Sequence, residues 1–206
     1  MTFIDIHTHN EGAHEKSAIL NSPHYIEKRN ISLGIHPWNI GDGWQERFST
    51  IEEVAGNGNV VAIGECGIDR IKSPAGIEIQ KEVLRAHALL AEKMQKPLII
   101  HCVKGVNDII AIRKEINAGQ AWIIHGFRGK PQQAIQLTKA GLYISLGEHF
   151  NTETAKAIPP ERLFIESDES ILPIDEIYRR IAAARNIGTE ELTLQITANI
   201  GIFRQF

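Results

Sequence analysis

The run Phe3-Ile4-Asp5-Ile6-His7-Thr8-His9 carries two imidazoles two residues apart on an apolar, extended stretch. Alternate residues of a strand share a face, so His7 and His9 point the same way. Neutral imidazoles are common ligands of divalent metals, and a strand holds them in fixed positions. A lone pair of this kind is a weak signal. It gains weight because later strand-like runs end on His36, Glu65, His101, His125 and Asp168. Any one of these residues has an ordinary reading as a hydrogen-bonded core histidine or a solvated acid. Their recurrence at the same place in successive strands points instead to a metal-dependent hydrolase.

The ligand inventory favours two ions. Histidines 7, 9, 101 and 125 with Glu65 and Asp168 exceed the three or four protein ligands of one open catalytic zinc. A carboxylate bridges two cations and an imidazole does not, so Glu65 or Asp168 is the expected bridge. Two divalent cations against two carboxylates leave an excess of positive charge suited to hydroxide and a phosphodiester. Histidine-rich ligation suits Zn or Mn better than Mg, which prefers oxygen ligands.

The elements that must position these groups alternate between apolar strands and amphipathic helices. Strands are expected at 3–9, 31–37, 60–65, 97–101, 121–125, 142–146 and 163–168. Helices are expected at 44–55, 77–95, 106–116, 131–140, 174–186 and 189–203, with Thr189 as a capped start. In the helix over 77–95 the expected buried face is Ile79, Val83, Ala86, Leu90 and Met94. The stretch from Asn10 to Ser22 shows no periodicity and reads as a loop over the site, with His14 and His24 solvated. Near-continuous apolar strands separated by helices imply a parallel sheet with helices outside. No glycine-rich phosphate fingerprint follows the first strand, which disfavours a dinucleotide fold. The expectation is a single TIM-type (β/α)8 barrel over residues 1–206, short and therefore incomplete or distorted. Its eighth strand is not visible, and only Ser170–Pro173 leaves room for a short one. In such barrels the strands deliver their polar ends to one rim.

Composition sets the outer limits. The 206 residues suffice for a large core; 43% are hydrophobic and 23% charged, as in soluble globular proteins. A net charge of -3 argues against a broad basic surface for nucleic acid, though not against a local one. Cys66 and Cys102 sit in apolar runs and read as buried thiols of a reducing compartment rather than a disulfide framework. No run is long and apolar enough for a spanning helix, and no signal peptide precedes the motif at Phe3, so a cytoplasmic protein without a membrane or required protein partner is expected.

Seven motifs then carry a resemblance. Phe-Ile-Asp-x-His-x-His, Gly-Ile-His-Pro, Ile-Gly-Glu-x-Gly-Ile-Asp, Pro-Leu-Ile-Ile-His, Ile-His-Gly-Phe-x-Gly, Tyr-Ile-Ser and Leu-Phe-Ile-Glu-Ser-Asp occur in the order seen in the TatD family of metal-dependent deoxyribonucleases. The closing Thr-Ala-Asn-Ile-Gly-Ile-Phe resembles that family's C-terminal helix. The resemblance implies that His7, His9, Glu65 and Asp168 hold one divalent ion (Zn, Mn or Mg). Glu65 then bridges to a second ion on His101 and His125. It also implies that Asp168 is the base for the attacking water and that His36 touches a substrate phosphate. DNA is the substrate it implies, cut at single-stranded ends.

The chain departs from the family at three places. Val103, followed by Lys104, stands where the family usually carries an arginine, and Gly126-Phe127-Arg128-Gly129 replaces Cys-Phe-Ser-Gly. The run Glu166-Ser167-Asp168-Glu169-Ser170 lacks the usual proline and most of the loop beyond it. Arg128 and Lys104 are candidates for a replacement phosphate clamp, and Trp38, Phe127 and Arg128 for a groove that takes bases. Glu166 is expected behind the ligands. A small phosphoester, amide or lactone is the alternative substrate, and a non-catalytic metal- or ligand-binding relative the alternative class.

Overall fold

A computed structural model describes residues 2–203. Its strands are β1 (Asp5–Thr8), β2 (Ala18–Ser22), β3 (Ile31–Leu33), β4 (Val60–Asp69), β5 (Leu98–Val103), β6 (Trp122–Ile124), β7 (Tyr143–Leu146) and β8 (Leu163–Ile165). They form one parallel eight-stranded sheet in sequence order. The sheet curls until its edges meet. A parallel bridge joins Thr8 to Asp168, the amide of His9 donates to the Asp168 carbonyl at 3.0 Å, and the amide of Asp168 donates to the His7 carbonyl at 2.9 Å. The protein is therefore a TIM-type barrel, closed by backbone bonds at the seam between β1 and β8.

The strand missing from the sequence reading is β2. It lies inside the stretch read as loop, and Ser170–Pro173 contributes no strand. Ala18, Ile19 and Leu20 are buried, but three apolar residues between polar ones give no measurable period. The helices are α1 (Trp44–Val54), α2 (Ile77–Met94), α3 (Val106–Ile116), α4 (Pro131–Lys139), α5 (Thr152–Ala157), α6 (Ile174–Arg185) and α7 (Thr189–Asn199). Among the described residues no helix follows β1 or β2, so the departure from a regular barrel falls there. None of the described helices is long and apolar enough to cross a membrane. The short helix α5 was not foreseen. Gly188, not Thr189, caps α7, and does so without a side-chain bond.

Register irregularities matter for the site. Between Asp5 and Thr8, β1 advances three residues while β2 advances two, and β4 gains a residue on β5 between Ile63 and Cys66. An extra residue of this kind bends a strand and re-aims a side chain. The two irregularities bracket His7 and Glu65. Close approach of β4 to β5 requires glycine there: a Cβ on Gly64 or Gly67, both at positive φ, would overlap the carbonyl of Ile99 or His101.

Helix α2 buries a slightly rotated face from that expected. Gln80, Val83, Leu84, His87, Ala88 and Ala91 face the barrel, whereas Ile79 is exposed. The polar members explain the rotation. Gln80 accepts the Asp69 amide at 2.8 Å through Oε1 and donates to the Ala75 carbonyl, while His87 accepts the Ile35 amide at 3.0 Å. Each holds the end of a strand that carries a site residue. His87 Nδ1 lies 2.8 Å from the Val83 carbonyl, so the neutral ring satisfies both nitrogens.

Burial pushes the His87 ring from 6.5 down to about 4. A depressed histidine pKa means that the unfolded chain takes the proton first. Stability from this group is full above pH 6.5 and is lost as the pH falls towards 4. The loss over that window is about 3 kcal/mol. Urea unfolding of metal-free protein at pH 7 and pH 4 is expected to show a drop smaller by that amount in His87→Gln than in the unsubstituted chain. Equal drops would assign the acid lability elsewhere.

Candidate metal centre

Glu65 stands at the middle of the barrel mouth, 3% exposed and surrounded by imidazoles. Its two oxygens face different partners. Oε2 lies 3.4 Å from His7 Nε2 and 3.7 Å from His9 Nε2. Oε1 lies 3.1 Å from His36 Nε2, 3.0 Å from His101 Nδ1 and 2.6 Å from His125 Nε2. Asp168, at positive φ just beyond β8, brings Oδ1 to 3.9 Å from His7 and 3.7 Å from His9. Strands β1, β4, β5, β6 and β8 and the turn after β3 thus converge their polar ends at one point. His7, His9, Glu65, His101, His125 and Asp168 all reach it, and so does His36.

Three ligand sets have mutually close donor atoms: His7, His9 and Glu65; His7, His125 and Asp168; His36, Glu65 and His101. His36, expected only near a phosphate, therefore stands within the donor cluster. A test of fit comes from His7. Its ring is fully buried, and neither nitrogen has a hydrogen-bond partner. A buried polar atom without a partner costs roughly 1–3 kcal/mol, and a cation is the partner this donor set suits.

The electrostatics agree. Burial would raise the Glu65 carboxyl, but the charge of His125 and the hydrogen bonds of His101, His125 and His36 outweigh it and hold it well below the usual range. Burial would lower the His125 ring, but Glu65 and Glu166 raise it well above the ordinary imidazole value. The hydrogen bond to Glu65 raises the His9 ring as well. The cavity is thus built to hold positive charge, as protons on imidazoles or as metal ions in their place.

Two partners behind the candidate ligands are not singled out by the sequence. Asp69, buried at the end of β4, meets His101 Nε2 at 3.2 Å through Oδ2, leaving Nδ1 facing the centre. Burial would raise its carboxyl, but the Trp38 indole N–H, the amides of Lys72 and Ile71 and the His101 ring hold it at about 2. Asn21, on the unforeseen β2, donates to Glu65 Oε2 at 3.3 Å and accepts the Glu65 amide at 3.1 Å. Asp69 was legible as the close of the Gly-Ile-Asp motif; Asn21 gave no signal. Glu166 is fully buried, with His125 Nδ1 at 3.3 Å and the Gly126 amide at 2.5 Å. Groups that orient a ligating histidine typically contribute about 10–100-fold to metal affinity. Asp69→Asn is expected to show a loss of that size by calorimetric titration, with the far-ultraviolet spectrum unchanged. Unaltered affinity would mean that His101 needs no such tether.

The remaining expectations divide. Arg128 is exposed in the wall of a cavity of about 310 Å³ that also contains His149, Glu166 and Asp168. Lys104 is exposed just past β5, and neither cation has an ion-pair partner among the described residues. Phe127 is a correction: it borders the same cavity, but its ring is buried in the core at 7% exposure and is not an open stacking face. His14 and His24 are exposed, as expected. Both thiols are free, Cys66 buried and Cys102 only half-buried. A second cavity of about 620 Å³ is bounded by Phe3, Asp5, His9, Asp168 and Ile174, so Asp168 lies where two cavities meet.

A parallel barrel thus gathers histidines and acids at its strand ends, a donor set that suits divalent metal ions. The chain belongs to the TatD family, whose model, described as TatD related DNase, matches residues 3–203. It is 34% identical over 145 residues to the uncharacterized metal-dependent hydrolase YabD of Bacillus subtilis, across 66% of this chain and 57% of that protein. It is 28% identical over 165 residues to the 3'-5' ssDNA/RNA exonuclease TatD of Erwinia tasmaniensis, across 75% of this chain and 63% of that protein. The chain thus spans less than two thirds of the length of either relative. The fold matches the crystal structure of YJJV, a TatD homolog from Escherichia coli, with a TM-score of 0.82 at 19% identity, over 98% and 97% of the two chains.

Proposed function

We propose that this chain is a phosphodiesterase that cuts single-stranded DNA from an end, using two divalent ions that share Glu65. The observation carrying this reading is the division of Glu65, with one oxygen towards His7 and His9 and the other towards His101 and His125. Asp168 would complete the first set. Bound there, the ions would neutralise phosphate charge and make water more acidic.

The chain's own groups supply the rest. Asp168, 26% exposed and at the meeting of the two cavities, orients the attacking water and takes its proton. His36 Nε2 stands beside Glu65 and would touch a phosphate oxygen. Arg128 and Lys104, without ion-pair partners among the described residues, would take flanking phosphates, arginine in bidentate fashion. The backbone bonds of the seam fix where the Asp168 carboxylate stands. The Erwinia relative's name as an ssDNA/RNA exonuclease supports the choice of polymer.

End-labelled single-stranded DNA, duplex DNA and RNA, with a panel of small phosphoesters, amides and lactones, tests this reading across Zn, Mn and Mg. Shortening of the single strand from one end is the expected result. Turnover of an amide or lactone with no phosphodiester cleavage under any metal would replace it.

A further inference from the structure

Beside the metal centre one aromatic ring stands open to solvent and is held rigidly. Trp38 follows His36 in the turn after β3 and is 41% exposed, whereas Trp44 and Trp122 are buried. Its indole N–H donates to Asp69 Oδ2 at 2.6 Å, and its amide donates to His36 Nδ1 at 3.1 Å. The ring centroid lies 4.7 Å from that of His36 and 5.8 Å from that of His101, both near edge-on. Asp69 organises the other side as well: its Oδ1 accepts the amides of Ile71 at 2.8 Å and Lys72 at 2.9 Å. That turn places the Lys72 ammonium 4.5 Å from the centre of the indole.

A single buried carboxylate therefore fixes an exposed aromatic surface, a cation next to it and a ligating histidine in one rigid group. An apolar ring kept in water at the rim of a charged site contributes nothing to the core. What suits it is a flat, apolar ligand surface attached to an anion. Because the indole is already immobile, little ordering entropy opposes that contact.

We infer that Trp38 and Lys72 form a base-binding subsite. An unpaired nucleobase next to the scissile phosphate stacks on the indole, and Lys72 moves from the ring to the adjoining phosphate. This rests on the nucleic-acid reading above and gives it a reason for single strands, whose bases have faces to offer. Bases in a duplex are already stacked on one another.

The test compares a short oligothymidine with an abasic strand of equal length, which keeps the phosphates and lacks the bases. Both are titrated into the metal-loaded full chain carrying Asp168→Asn, so that the strand stays whole. Affinity is read by anisotropy of the labelled strand, and contact by tryptophan emission. The base-bearing strand is expected to bind about ten-fold more tightly and to change the emission, in keeping with the usual contribution of base–aromatic stacking. Trp38→Leu should erase that preference; Trp38→Phe, which keeps a ring but loses the N–H, should retain most of it. Equal binding of the two strands would overturn the subsite while leaving the nuclease reading in place. So would equal loss in the Phe and Leu variants, which would make the indole a brace for Asp69. Binding of neither strand would overturn both.

Discussion

Asp168→Asn is expected to lower turnover by about 10²–10⁴-fold, the usual effect of removing a positioned general base. Asparagine keeps the shape of the side chain and one oxygen, so the substitution removes proton affinity more than geometry. The backbone anchors survive it, because they belong to the His7 carbonyl, the His9 amide and the main chain of residue 168. Metal retention should fall less than rate, since His7, His9, His125 and Glu65 remain. Asparagine is nevertheless a poorer ligand, so the comparison needs saturating metal and occupancy measured directly by elemental analysis. A metal-loaded variant with undiminished activity would remove Asp168 from the chemistry. Its place at the junction of the two cavities would then describe a wall and not a base.

Glu65→Gln should have the largest effect on metal binding. Glu65 is the group that every histidine of the cluster approaches, from His7 and His9 on one oxygen to His36, His101 and His125 on the other. Glutamine removes the negative charge and turns one acceptor into a donor aimed at those rings. Metal affinity is expected to fall further than the ~10–100-fold that follows loss of a group behind a ligand. Both ions should weaken together. His101→Ala should weaken chiefly one, because an imidazole serves a single ion. Calorimetric titration of the two variants decides the matter, with circular dichroism as a check on folding. Matching two-site losses in both would argue against a shared carboxylate.

Much of the molecule is legible in the sequence, for a physical reason. Parallel strands buried on both faces must be apolar throughout, so a polar residue at the end of each, such as His101 or His125, stands out. Helices α3 and α4 were placed nearly to the residue because their polar flanks are unambiguous. What escaped notice was polar within an apolar setting or apolar within a polar one. Strand β2 has Ile19 and Leu20 between Ser17 and Asn21, too short a run to register, and Asn21 was hidden with it. Gln80 and His87 lie on the buried face of α2, where a reading by hydrophobicity passes them over in favour of Ile79. Phe127 stands two residues after His125, where the sequence reads as part of the groove. Its burial depends on the packing of the β6–α4 turn, which local sequence does not encode.

The seam between β1 and β8 also bears on how the protein folds. The amide and hydroxyl of Ser167 donate to Asp5 across 162 residues of chain, and the main-chain bonds of Asp168 lie beside them. Bringing ends so distant together carries a loop-closure entropy of about 4–5 kcal/mol. Pairings this distant in sequence raise the contact order of the barrel, which slows its folding. Asp168 and the His-x-His pair sit on opposite sides of that join. A cation held by both would be a clasp, contributing about 4 kcal/mol when its concentration is a thousand times its dissociation constant. During synthesis β1 must wait for β8 before the site exists. Chelation should therefore speed the opening of this seam before any other part of the barrel.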